Sequence, residues 1–207
     1  MDKKQIFIKA VYAGFMIGIG GIAYLSIENR ILSALFFSFG LLTIVTQGFC
    51  LYTGKIGFIQ KPQELLDMLI IIIGNYIGTF LVAVLAHAAH LKISSEELVN
   101  NKLNYSIWNV FLLAVFCGVM MFLAIDNYNK NKNIVFVIAP VMIFILCGFE
   151  HSIADMFYFN LNGIHNLKEV AFIIVTLLGN GIGSFIFGIG IRKAKEEHDG
   201  SKAADIK

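Results

Sequence analysis

Six long apolar stretches, separated by short polar gaps, run along the chain at approximately residues 6–27, 31–59, 65–87, 106–125, 134–159 and 169–191. Each is comparable with or longer than the roughly 20 residues that a helix needs to cross a bilayer. The pattern therefore predicts an all-α polytopic membrane protein with six transmembrane helices. The gaps fall at SIENR, around Lys61 and Pro62, at HLKISSEELVNNKLNYS, at DNYNKNKN and at NLNGIHNLK. None is large enough for a second domain, so a single transmembrane domain over 1–207 is expected, with 192–207 as a polar tail.

Two stretches, 31–59 and 134–159, are too long for a simple crossing. Each is interrupted well past its middle, by QGFCLYTGK in one and GFEHSIAD in the other. A polar or glycine interruption at that depth is what a helix broken around a buried site produces; a tilted helix with an overhanging end is the other reading. An internal repeat favours the breaks. GNYIGTF, Gly74 to Phe80, and GNGIGSF, Gly179 to Phe185, each follow an interrupted stretch. Two halves of three spans, about 6–87 and 106–191, are then expected as inverted repeats with broken second and fifth helices. The pairs Gly14 and Gly18, Gly74 and Gly78, and Gly179 and Gly183 have the small-xxx-small spacing that lets helices approach closely.

Composition agrees with the pattern: 57% of residues are hydrophobic and 14% charged, and mean hydropathy is +0.76. A formal charge of +2 gives no reason to expect nucleic acid as a partner. Its distribution says more. The N-terminus, the second and fourth gaps and the tail carry Lys3, Lys4, Lys9, Lys55, Lys61, Lys130, Lys132, Arg192, Lys193, Lys195, Lys202 and Lys207; the other side carries Arg30, Lys92, Lys102 and Lys168. This asymmetry places both termini in the cytoplasm. The basic, then apolar, start resembles a signal peptide but continues to about Ile27 without a clear cleavage site, and reads as a retained first span. Cys50, Cys117 and Cys147 lie in apolar stretches and read as free thiols.

The chemistry concentrates in GFEHSIADMFYF, where Glu150, His151 and Asp155 interrupt an apolar run. Ionisable groups in lipid are costly and face a cavity or a substrate path. An imidazole, which ordinarily titrates near pH 6.5, can pass a proton to a weak-acid anion or serve only as a hydrogen-bond donor, and the residues leave both open. A helical continuation would set Asp155 one turn from His151, where the two would pair; a bent loop would instead let Asp155 bind backbone donors. A haem or metal site needs a second buried histidine, whereas His87, His90 and His165 fall at the ends of stretches or in gaps. Cys147 and His151 are one helical turn apart, but a thiol in apolar surroundings is inert. Neither an enzyme nor a cofactor or metal is expected.

The stretches AGFMIGIGG, SFGLLTIVTQGFCLYTGK, GNYIG, FLLAVFCGVMMFLAI, GFEHSIADM and GNGIG, in that order from about residue 9 to 190, resemble the formate/nitrite transporter family. The resemblance implies an aquaporin-like fold of six helices, a homopentamer in the lipid bilayer, and a pore through each protomer. The solutes implied are small monovalent anions or their weak acids, such as formate, nitrite, hydrosulfide or short monocarboxylates, with proton exchange at a central histidine. By this resemblance His151 is the pore histidine, Thr53 the threonine of the opposing loop, and Glu150 the glutamate bracing the histidine's loop. Leu41, Leu51 and Phe144 fall at the cytoplasmic constriction, and Tyr52 and Met121 at the outer one. Three positions depart from the family's pattern: Asp155 and Gly118 each stand where asparagine is usual, and Asn133 replaces a lysine that attracts anions. The protein is expected in a bacterial plasma membrane. Alternatives are a pore for small neutral solutes, or a membrane redox protein using His151.

Overall fold

The computed structural model describes residues 1–163 and 166–204, with side chains described as far as Ala194; His165, the side chains of the expected tail beyond Ala194 and residues 205–207 lie outside the described residues. Among the described residues all regular structure is helical. It comprises α1 (Lys3–Ser26), α2 (Arg30–Gln47), α3 (Tyr52–Lys55), a 3-10 turn at Ile56–Phe58, α4 (Glu64–Ala88), α5 (Glu96–Leu103), α6 (Ile107–Asn131), α7 (Val135–Leu146), α8 (Ser152–Asn162) and α9 (Leu167–Ala204). Five of these, α1, α2, α4, α6 and the part of α9 up to Ala194, are long and apolar enough to cross a membrane, and α7 is a shorter apolar helix.

The two overlong stretches are broken helices. Gly48 ends α2 and Gly148 follows α7, at φ 65° and 70° respectively, a left-handed conformation that glycine adopts without steric cost. Both ends close with the same pair of bonds: Gly48 N–H donates to Val45 O and Phe49 N–H to Ile44 O, just as Gly148 N–H donates to Ile145 O and Phe149 N–H to Phe144 O. These satisfy carbonyls that the helix itself leaves free. A tilted continuous helix is excluded by this geometry. Other ends are set by side chains, with Asn29 Oδ1 accepting from Ile31 and Leu32 N–H and Ser106 Oγ from Asn109 N–H.

Two departures from the sequence pattern stand out. The long gap between the halves contains the helix α5, whose Val99 is buried. The expected tail begins as a continuation of α9.

Packing is closest where α1 meets α4 and α6 meets α9. A methyl group at Gly14 would stand 2.0 Å from the Asn75 carbonyl oxygen, and one at Gly118 would stand 2.2 Å from that of Asn180. The expected small-residue faces are thus real backbone contacts, and the asparagine usual at position 118 has no room here. Polarity is inverted relative to a water-soluble domain: α4 exposes Leu66, Leu69, Ile73 and Leu85, while Asn75, Thr79, Glu150, His151, Asp155, Asn180 and Ser184 are buried. An apolar exterior around a polar interior is the arrangement that lipid demands.

Candidate pore and its polar centre

Each break is held open by an asparagine from the glycine motif that follows it. Asn75 Nδ2 donates to Ala10 O at 2.8 Å and Cys50 O at 2.9 Å, and Asn75 Oδ1 accepts from Tyr52 N–H at 2.9 Å. Asn180 Nδ2 donates to Ala114 O at 2.9 Å and Glu150 O at 2.8 Å, and Asn180 Oδ1 accepts from Ser152 N–H at 2.9 Å. Broken backbone in an apolar interior leaves donors and acceptors that must find partners, and each carboxamide satisfies two of them while its third bond ties it to α1 or α6. The sequence signal lies in the repeat itself, since both residues are the Asn of a GNxIG motif.

The asparagines fix the residues between their bonds, Leu51 in the first break and His151 in the second. His151 caps α8: its Nδ1 accepts from Ala154 N–H at 3.1 Å. Because an amide can only donate, Nδ1 is the unprotonated nitrogen and Nε2 carries the hydrogen. Nε2 lies 2.9 Å from Thr53 Oγ1 on the opposing break, and both residues are buried. The imidazole also stacks on Phe144, with centroids 5.5 Å apart. Ser184 Oγ ties the same region together, donating to Gly118 O at 2.7 Å and Thr53 O at 3.4 Å.

Two cavities lie near this pair, the first reaching His151 and the second reaching residues that flank Thr53 in the chain. One, of about 210 Å³, is bordered by Lys102 of α5 and by Phe37, Phe144, Glu150, His151 and Asp155. The other, of about 130 Å³, is bordered by Leu51, Gly54 and Lys55 and by Asn129 of α6. The expected constriction residues divide accordingly. Phe144 belongs to the first cavity and Leu51 to the second, so they do not form one ring. Phe144 instead meets Phe37 edge-on at 6.0 Å. Leu41, Tyr52 and Met121 are buried but border neither cavity, and the Tyr52 hydroxyl donates to Leu177 O at 2.9 Å. Phe37 was not singled out in the sequence; its one signal, a position one turn before Leu41, is shared by many apolar residues.

Charge in the first cavity centres on Lys102. Its Nζ is paired with Glu150 Oε2 and lies 3.0 Å from Asp155 Oδ1. Both sequence readings of Asp155 give way to this: the aspartate pairs with a lysine from the distant gap, and neither with His151 nor with backbone donors. The brace expected of Glu150 comes through its backbone carbonyl and Asn180, while its carboxylate serves Lys102. Asn133, for its part, borders neither cavity; its Oδ1 accepts from Val135 N–H at 3.0 Å at the start of α7. Neighbouring Lys132 lies over the Tyr128 ring. The cation at the polar centre is therefore Lys102, which the sequence offered only as a charge in a gap.

A helical membrane protein whose two breaks meet in a buried polar pair, with cavities beside the breaks, has the architecture of a channel or transporter. The chain belongs to the formate/nitrite transporter family, whose model, described as Formate/nitrite transporter, matches residues 1–193. It is 26% identical to a formate-nitrite transporter of Plasmodium falciparum, over 94% of this chain and 79% of that protein. Identity to the formate channel FocA of Haemophilus influenzae is 22%, over 73% of this chain and 64% of the relative; for the formate channel FocB of Escherichia coli it is 24%, over 75% and 66%. The chain thus spans somewhat under two thirds of the length of these two bacterial relatives. The fold is that of a solved structure described as a pentameric formate channel with formate bound (TM-score 0.78, 19% identity, 94% of this chain and 96% of that one). The family and these relatives are channels or transporters and not enzymes.

Proposed function

We propose that this chain forms a pore for small monovalent anions or their weak acids, with formate, nitrite, hydrosulfide and short monocarboxylates as the candidate solutes. The observation that carries the reading is the buried Thr53–His151 contact, with one cavity reaching His151 and another bordered by Leu51 and Gly54, which flank Thr53 in the chain. A polar centre within apolar walls gives a small solute a place to pause, yet makes a bare ion costly to pass. His151 acts here as a hydrogen-bond donor through Nε2. A ring protonated at both nitrogens would have to release Ala154 N–H and open the cap of α8, so the hydrogen-bonding role fits the geometry better than proton exchange at Nδ1.

Membership of the family supports a homopentamer with one pore per protomer, and the matched breaks support two halves inverted in the membrane. The lysine and arginine asymmetry supports cytoplasmic termini, and the bacterial relatives a plasma membrane location. The test is flux of formate, nitrite, hydrosulfide, acetate and lactate into liposomes holding the protein, at two pH values. At least one solute should enter well above protein-free liposomes. His151→Phe and Thr53→Val should cut that flux by about tenfold or more, the equivalent of one lost hydrogen bond to a charged group, in protein that keeps its assembled size. Flux that ignores both substitutions would remove these residues from the path.

A further inference from the structure

The cavity beside Lys102 carries one positive group and two acids. Glu150 and Asp155 are each about 1% exposed, and both lean on the same ammonium. Their positions differ in one respect. Asp155 Oδ1 faces Lys102, but Asp155 Oδ2 is buried and, among the described residues, receives no hydrogen bond from a donor; the neighbouring acid is Glu150, and the residue borders the cavity. A carboxylate oxygen buried without a donor is strongly unfavourable. Two carboxylates around a single cation also leave one negative charge uncompensated, which a proton cancels at the least structural cost.

Among the described residues, the other groups around this acid do not offer a second cation. Glu150 and His151 come from the break, Cys117 from α6, Tyr24 from α1, Tyr105 from the segment after α5 and Tyr158 from α8 itself. From α2 and α7 the cavity receives only Phe37, Phe144 and Ile145. Both ring nitrogens of His151 are engaged elsewhere, Nδ1 by Ala154 N–H and Nε2 by Thr53.

We propose that Asp155 Oδ2 is a proton-binding site of this cavity, from which a proton is handed to a weak-acid anion entering beside Lys102; this deepens, and rests on, the transport reading above. The Oδ2–H bond breaks and the proton bonds to the anion, an oxygen of formate or the sulfur of hydrosulfide. The solute becomes neutral, and Asp155 becomes a carboxylate held by Lys102. The neutral acid continues past the Phe37–Phe144 pair toward Thr53, and water in the cavity returns a proton to Asp155. One proton thus travels with each anion. Lys102 draws the anion in, and Asp155 removes the charge that the apolar walls would reject.

The experiment uses the full chain in liposomes, with formate as the probe and a pH-sensitive dye inside, together with infrared spectra of the same samples. The wild type should show the carbonyl stretch of a buried protonated carboxylic acid. Asp155→Asn, which keeps the shape but holds no exchangeable acid proton, should abolish that band, and Glu150→Gln should retain it. Formate-driven proton entry should fall about tenfold or more in Asp155→Asn at neutral pH, the lower end of what a positioned proton donor supplies. The deficit should shrink in acid, where neutral formic acid is already abundant. A missing band in the wild type, a band that survives Asp155→Asn or vanishes in Glu150→Gln, or equal flux at both pH values overturns the proposal. A wild type that moves no formate, nitrite or hydrosulfide defeats the transport reading and the proposal with it, whereas equal flux in wild type and variant defeats the proposal alone. If Asp155→Asn does not assemble, the wild-type and Glu150→Gln spectra decide.

Discussion

At the first break the chain leaves α2 through Gly48, runs through Phe49, Cys50 and Leu51, and enters α3; at the second it leaves α7 through Gly148, runs through Phe149, Glu150 and His151, and enters α8. The backbone bonds that close α2 and α7 agree one for one, and each break hangs from an asparagine by two contacts, with a third tying that asparagine to α1 or α6. The cargo differs. Leu51 has no side chain able to cap a helix, and α3 lasts only from Tyr52 to Lys55 before giving way to a 3-10 turn. His151 caps its helix, and α8 runs from Ser152 to Asn162 with all but its last residue buried. The two breaks thus share one backbone arrangement, but the second carries the ionisable groups Glu150, His151 and Asp155 while the first contributes the Thr53 hydroxyl. The lesson is that what holds the breaks open is separable from what they present.

The most severe way to break this comparison is to push the packed helices apart. Valine at Gly14 or Gly118 would drive side-chain carbon into the backbone of Asn75 or Asn180, with no flexible neighbour to yield. Both halves should suffer alike, by at least the roughly 1–3 kcal/mol of ordinary overpacking. The check is monodispersity and melting temperature in detergent. A well-folded Gly118→Val protein beside a collapsed Gly14→Val protein would show that the halves are not packed equivalently.

Replacing the asparagines sharpens the comparison. Asn75→Leu and Asn180→Leu each remove three buried hydrogen bonds, and each should cost about 2–4 kcal/mol, visible as a similar fall in melting temperature. Flux per assembled molecule should separate them. Asn180 holds the backbone on both sides of His151, so Asn180→Leu should lower flux more than Asn75→Leu does. Equal flux in the two variants would mean that His151 is positioned by other contacts.

The smallest effect is expected at Asn133, which lies in neither break. Asn133→Lys removes a capping acceptor from α7, so a loss of about 0.5–1 kcal/mol is expected. Formate flux should stay within about twofold, since the new ammonium would sit in water where its field is screened. A large gain in flux would restore the sequence-based view that anion attraction was lost at this position.

Much of the fold was legible. Apolar stretches of bilayer-spanning length coincide with α1, α4, α6 and α9, and the two overlong ones with α2 plus α3 and α7 plus α8, because in lipid the chain must pair its own backbone groups within helices. Glycines at small-xxx-small spacing mark the closest contacts. The site was legible in part. Glu150, His151 and Asp155 announced themselves as ionisable groups in an apolar run, and LYTGK pointed to Thr53.

What the sequence by itself determined, then, are the features set by local pattern: the apolar spans, the polar and glycine interruptions of the two overlong stretches, and the polar residues too costly to face lipid. Tertiary structure alone decided which distant groups meet. Lys102 stands in a polar gap by sequence, yet α5 carries it onto Glu150 and Asp155, 48 and 53 positions away along the chain. Phe144 was expected with Leu51 but lies with Phe37 on the other cavity, and Asn75 and Asn180 reach back to breaks more than 20 residues upstream. The physical reason is one of range. Hydropathy and backbone conformation are properties of neighbouring residues, whereas the partner of a buried charge is whichever group the folded chain brings within about 3 Å, and no periodicity encodes that.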